Sequence, residues 1–218
     1  MDDLLKKALK TTKLRGTGIG GSGCINTGEC YDTDTGRVFI KQNPKAMARL
    51  MFDGEYASLS AILETNTVRV PRPIVVVDNP AGGAALAMEY VKMTSLAKHS
   101  AELGKRLANM HLDNEQKQLK SQSSSIHSSK EDFVELFGFH TTTCCGYLPL
   151  QNDWGSDWVV GERGLDTRNA LFYEGVSLVG IFLPPAYRRP DQDSPGEVRR
   201  QGGCSALGSV ATLCSENV

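Results

Sequence analysis

From Thr17 to Asn26 the chain reads TGIGGSGCIN, with four glycines and two small hydroxyl residues directly ahead of Cys24 and Ile25. Glycines between two strands let backbone N–H groups approach an anion closely, which is a common way of cradling nucleotide phosphates. Taken alone, such a stretch is more often a plain hairpin turn. No Gly-Lys-Ser/Thr follows it, so it is not a Walker loop. Lys41 stands at the end of the strand-like run Arg37-Val38-Phe39-Ile40-Lys41. Glu55 lies four residues after Met51 and four before Leu59, on the helical stripe of Ala48, Met51, Phe52, Leu59 and Ile62. A carboxylate on a buried stripe is costly unless it is paired. It needs a cation, with Lys41 one choice and Arg49 or water the others.

Positioning these groups requires a particular order of elements. Leu4, Leu5, Ala8 and Leu9 predict a short first helix. Residues 17–26, 29–32 and 37–42 read as strands, with Asp34-Thr35-Gly36 as hairpin chemistry. Pro44 opens a helical pattern that runs to about Thr65, proline being tolerated in a first turn. Two more strands, 74–78 and 84–90, flank the turn Asn79-Pro80-Ala81-Gly82-Gly83. A second helix starts near Ser100 with Leu103, Leu107, Met110 and His111 on one face, His111 being expected as a hydrogen-bonded core residue. Residues 121–130, SQSSSIHSSK, have too little apolar area to order themselves and predict a flexible insertion.

A glycine-rich hairpin, a lysine ending the third strand, a helix with a buried carboxylate and two more strands form the order of a kinase-like small lobe. The fold class expected is therefore α+β: an antiparallel five-stranded sheet with a long helix, followed by a truncated or divergent large lobe. Lys41 would bind the α/β-phosphates of a nucleotide and Glu55 would hold Lys41. Met88-Glu89-Tyr90-Val91 falls where such lobes turn into the hinge that pairs with adenine, Met88 lining the back of the purine pocket. The expected organisation is a nucleotide-binding lobe over 1–91, the start of a helical lobe over 92–160 and a divergent, largely disordered tail over 161–218.

Composition narrows the partners. A formal charge of −1 argues against a broad nucleic-acid surface. The opening MDDLLKKALK lacks a signal-peptide core and no stretch is long enough to cross a membrane, which predicts a cytosolic protein. Cys24, Cys30, Cys144, Cys145, Cys204 and Cys214 form no CxxC and no zinc-ligand cluster, so no metal site is expected and the thiols read as free. Cys144-Cys145 reads as packing. All twelve lysines lie at or before Lys130, whereas residues 161–218 hold six arginines, no lysine and no histidine. Such a break fits a disordered tail or a carboxyl end encoded differently from the rest.

The strings GGSGCIN, YDTDTGRVFIK, MFDGEYASLSAIL, VRVPRPI, AMEYV, LANMHLDN, FGFHTTTCCGYLP and NDWGSDW closely resemble the fructosamine 3-kinase family over residues 1–160, on its protein-ribulosamine 3-kinase side. The resemblance implies ATP and Mg2+ as cofactors. It also implies transfer of the γ-phosphoryl group to the sugar 3-hydroxyl of glycated protein lysines (ketosamines), after which the phosphate eliminates and the lysine is regenerated. On this pattern Gly21, Ser22, Gly23 and Cys24 belong to the phosphate loop, Lys41 and Glu55 are the ion pair, and Glu89, Tyr90 and Val91 form the hinge. Trp154 and Trp158 would begin the larger lobe.

The chain also departs from the family. A His-Gly-Asp loop and an Asp-Pro-Ala segment are required, yet no histidine follows His140. The nearest echo places Asp166 and Asn169 too close together, with Leu183 where a metal-binding aspartate is expected. Asp166 and Asn169 are thus weak catalytic candidates, and the magnesium site is expected to be incomplete. Cys24, among N–H donors and near Lys41, reads either as a redox switch able to link a homodimer, as the resemblance also suggests, or as a small residue packed under the loop. Two functions stay open: a ketosamine kinase of low or absent activity, or a non-catalytic nucleotide-binding or interaction module.

Overall fold

A computed structural model of the chain describes residues 1–22, 25–92, 99–123 and 133–156. Helix α1 (Asp2–Leu9) precedes strands β1 (Arg15–Ser22), β2 (Thr27–Thr33) and β3 (Gly36–Asn43). Then come helix α2 (Ala48–Glu64), strands β4 (Pro73–Asp78) and β5 (Ala84–Glu89), helix α3 (Ser100–Ser123) and a small hairpin, β6 (Cys144–Cys145) with β7 (Leu148–Pro149). The five long strands form one antiparallel sheet in the order β1-β2-β3-β5-β4. The fold is α+β, with the five-stranded sheet and long helix that the order of motifs predicts.

Strand alternation assigns the two faces. Phe39, Leu86 and Met88 point into a core with Met51, Phe52, Leu59 and Ile62 of α2, and Leu103, Leu107 and Met110 of α3 join it. Val38, Ile40, Ala85 and Ala87 point the other way, against Leu5 of α1. Strand β5 is buried along Ala84–Met88 because it lies between β3 and β4 and is covered on both faces. Burying a side chain such as Phe52, 0% exposed, contributes about 1.5–3 kcal/mol, so the α2 stripe is what fixes that helix on the sheet.

The Asp34 carboxylate ties the α1–β1 connection to the β2–β3 turn. Its Oδ2 accepts hydrogen bonds from the Thr12 amide (2.5 Å), the Thr12 hydroxyl (2.9 Å) and the Thr11 hydroxyl (2.9 Å). These donors, the Thr12 amide foremost, hold its pKa down at about 2.

Two expectations change. Helix α2 begins at Ala48 rather than Pro44, because Asn43 Oδ1 accepts from the Lys45 amide at 2.9 Å and holds residues 44–47 in a turn first. Helix α3 continues through Ser123, into the stretch read as a flexible insertion, since extending a formed helix costs far less than starting one. The remainder of that stretch lies outside the described residues. Leu4 is 38% exposed, as only the Leu5 side of the short first helix meets the sheet. No helix among the described residues is long and apolar enough to cross a membrane.

Candidate functional site

Lys41 lies third from the end of β3, opposite Gly28 on one side and Leu86 on the other. Its alternation places it on the α2 face of the sheet. Glu55 occupies the facing side of α2 because its stripe of buried neighbours turns it there. The two meet, Lys41 Nζ donating to Glu55 Oε1 at 2.5 Å. Their side chains are 23% and 12% exposed, so the pair is sheltered but open at one end. Arg49, the rival cation, instead binds Asp53 and Asp78, at 2.8 and 3.0 Å.

The other site positions surround this pair on the same sheet. Gly21 pairs with Gly28 and Ser22 with Thr27 across β1–β2. The Phe39 ring lies under Gly28, where a Cβ would meet it at 2.6 Å, and Phe39 pairs with Met88, which is 4% exposed. Glu89, Tyr90 and Val91 follow as β5 leaves the sheet. The Glu89 carboxylate accepts from Arg69 (2.5 Å) and from the Arg72 amide (3.2 Å). Its pKa is lowered, first by the Arg69 hydrogen bond. The Arg37 guanidinium sits 5.5 Å from the centroid of the Tyr90 ring. Gly23, Cys24, Trp158, Asp166 and Asn169 lie outside the described residues, and with Cys24 goes the proposed disulfide-linked dimer.

A cleft of about 320 Å³ is lined by Glu29, Tyr31, Ile40 and Gln42 on the α1 face and by Gly20, Gly21 and Gly28 of the glycine-bearing strands, Gly28 being the cross-strand neighbour of Lys41. Cys30, Cys144 and Cys145 are free thiols. Burial pushes the Cys30 thiol up to about 11 and raises that of the partly buried Cys144.

His111 departs from its expected role. It is partly buried on α3, burial lowers its pKa, and its Nδ1 has no hydrogen-bond partner among the described residues. No three His, Cys, Asp or Glu residues converge among the described residues. No chemical step below runs through magnesium.

Asn43, Tyr147 and Arg69 are site neighbours that local sequence patterns did not flag. Asn43 is 2% exposed, and its Nδ2 lies within hydrogen-bond reach of the Ile25 carbonyl (3.0 Å), Asn26 Oδ1 (2.8 Å) and the Tyr147 hydroxyl (2.9 Å). Asn43 and Tyr147 are 104 positions apart. No periodicity spans such a separation.

Known proteins are similar to this sequence. A family model described as fructosamine kinase matches residues 2–160. Ketosamine-3-kinase of Mus musculus is 48% identical over 165 residues, 73% of this chain and 53% of the mouse protein. The chloroplastic protein-ribulosamine 3-kinase of Arabidopsis thaliana is 35% identical over 187 residues, covering 80% of this chain and 52% of the plant protein. A solved structure from Haemophilus somnus 129PT, a candidate fructosamine-3-kinase, has a TM-score of 0.49 and 19% identity, over 79% of this chain and 52% of that one. The chain spans about half the length of the curated relatives it matches.

Proposed function

The chain belongs to the fructosamine kinase family, and from that premise we propose that its sheet lobe binds ATP for phosphoryl transfer to the 3-hydroxyl of a ketosamine on a protein lysine. The observation carrying this reading is the Lys41–Glu55 contact of 2.5 Å beside the glycine-bearing strands. Phosphoryl transfer asks a protein for positioning and electrostatic stabilisation more than for covalent chemistry. A free lysine side chain holds about 2 kcal/mol of rotamer entropy. Glu55 takes up that cost in advance, leaving the other N–H bonds of the ammonium to meet phosphate oxygens. Phe39 and Met88 supply an apolar lining for the base, and the backbone at 89–91 supplies the hinge. With its carboxylate engaged by Arg69 and its amide donating to the Arg72 carbonyl at 2.8 Å, Glu89 has only its carbonyl to offer.

A second reading, a nucleotide-binding module without turnover, is favoured by the sequence after residue 160. That stretch holds no histidine, so no His-Gly-Asp loop lies in it. We expect ATP to raise the melting temperature of the chain. We also expect phosphoryl transfer to a ribulosyl-lysine peptide at least about 10³-fold below an intact kinase, because the positioned carboxylates that assist the step are missing. Turnover at the rate of the mouse ketosamine-3-kinase would exclude the module reading. Failure of ATP to stabilise the chain, with no turnover, would overturn both readings.

A further inference from the structure

Residues 133–156 follow α3 in sequence, yet they fold back onto the sheet and α2. We propose that this segment is a strap that positions the nucleotide site from outside it, with Tyr147 as the positioning residue for the glycine-rich hairpin and Gly54 as the seat that fixes α2 and Glu55. The relevance of the strap to ATP rests on the nucleotide-binding reading above; its mechanical role does not.

The strap is laced internally. Asn152, 8% exposed, donates to the Thr141 carbonyl at 2.7 Å and to the Thr143 hydroxyl at 3.0 Å. The Leu150 amide donates to the Thr143 carbonyl at 2.8 Å, and Phe137 and Gly155 exchange two backbone bonds of 2.8 Å. These bonds leave the buried polar groups of the segment mutually satisfied, which rigidifies it.

At Thr142 and Thr143 the segment seats on α2. A Cβ built on Gly54 would lie 2.6 Å from the Thr142 carbonyl oxygen and 3.0 Å from Thr143 Cα. Both are backbone atoms and have no rotamer through which to yield. Only glycine lets the strap lie this close, and the next residue on the helix is Glu55.

A few residues on, Tyr147 holds the hairpin. The Tyr147 hydroxyl accepts from Asn43 Nδ2 at 2.9 Å and reaches the Ile25 carbonyl at 3.3 Å. Asn43 contacts the same carbonyl, which closes a triangle around the residue where the chain leaves the glycine-rich stretch. The Lys45 ammonium, 4.4 Å from the centroid of the Tyr147 ring, keeps that ring in place. Asn43 lies two residues beyond Lys41, so one tyrosine braces the lysine strand and the hairpin together.

Tyr147→Phe separates positioning from stability. It deletes one oxygen while keeping the ring, and Asn43 retains acceptors in Ile25 and Asn26, so no buried donor is orphaned. We expect a melting temperature within about 2 °C of the unaltered chain, and ATP affinity weakened by about five- to tenfold, the worth of one hydrogen bond. Gly54→Ala, made 29 positions from Ile25 along the chain, should raise amide exchange at residues 25–29 in the nucleotide-free chain. Tyr147→Phe should likewise raise exchange at residues 52–56.

Unchanged exchange at the far end in both variants would overturn the strap. So would a Tyr147→Phe variant whose affinity falls only in step with its stability. If the unaltered chain bound no ATP while far-end exchange still rose, the nucleotide reading would fall and the strap would stand.

Discussion

Lys41→Met is expected to weaken ATP binding by about a hundredfold or more, the largest loss for a single substitution in this lobe. The methionine keeps most of the length of the side chain and removes its charge. What remains is the Glu55 carboxylate, 12% exposed, with no cation and facing the incoming phosphates. Stability also falls, by about 1–3 kcal/mol, because breaking a sheltered ion pair from one side strands the other charge. Adding Glu55→Leu to Lys41→Met removes that stranded charge and should recover most of the melting temperature without recovering ATP binding. Glu55→Gln, which keeps a hydrogen-bond acceptor beside Lys41, should cost about tenfold in affinity. Competition titration against a fluorescent nucleotide at fixed ionic strength measures the affinity of all three variants. A Lys41→Met variant that binds ATP as tightly as the unaltered chain would contradict the assignment.

Gly83→Ala is expected to cost about 3 kcal/mol, seen as a melting temperature lowered by roughly 6–12 °C for a domain of this size. Gly83 closes the β4–β5 turn at φ +79°, where its carbonyl accepts from the Asn79 amide at 3.0 Å. An L-residue there carries a conformational cost of about 1 kcal/mol. A Cβ would also stand 2.0 Å from the Asn43 carbonyl oxygen and 2.6 Å from Pro44 Cα. Relieving that overlap means moving the main chain at Asn43, the residue through which strand, hairpin and strap are joined. Gly36→Ala is the control. Gly36 has φ +126° but nothing within 4 Å of its Cβ position, so it should show the conformational cost alone, about 1 kcal/mol. Equal losses at the two positions would show that crowding at Asn43 is not the cause.

What the sequence could reveal follows from the range of its signals. Glu55 was legible because a carboxylate spaced four residues from Met51 and from Leu59 has to be buried or paired, and the pairing with Lys41 is the one observed. The sheet was legible because alternation and turn residues act over a few positions, and each predicted strand appears within a few residues of its expected ends. The start of α2 was misplaced because Asn43, whose side chain holds the intervening turn, looks like any polar residue ending a strand. The extension of α3 was missed because composition judges a serine-rich stretch as though it had to nucleate its own structure. His111 was placed on the right face, but a pattern of faces cannot supply a partner for Nδ1. The strap was invisible for a simpler reason: the Tyr147–Asn43 contact joins residues that no local rule relates.

The most direct measurement is affinity labelling with an acyl-phosphate derivative of ATP, which transfers its acyl group to whichever amine lies beside the bound phosphates, followed by peptide mass spectrometry. The account predicts that Lys41 is the lysine acylated fastest, that excess ATP blocks the reaction, and that Glu55→Gln slows it. Labelling spread over exposed lysines such as Lys10 and Lys45, with Lys41 unmodified and ATP without effect, would contradict it.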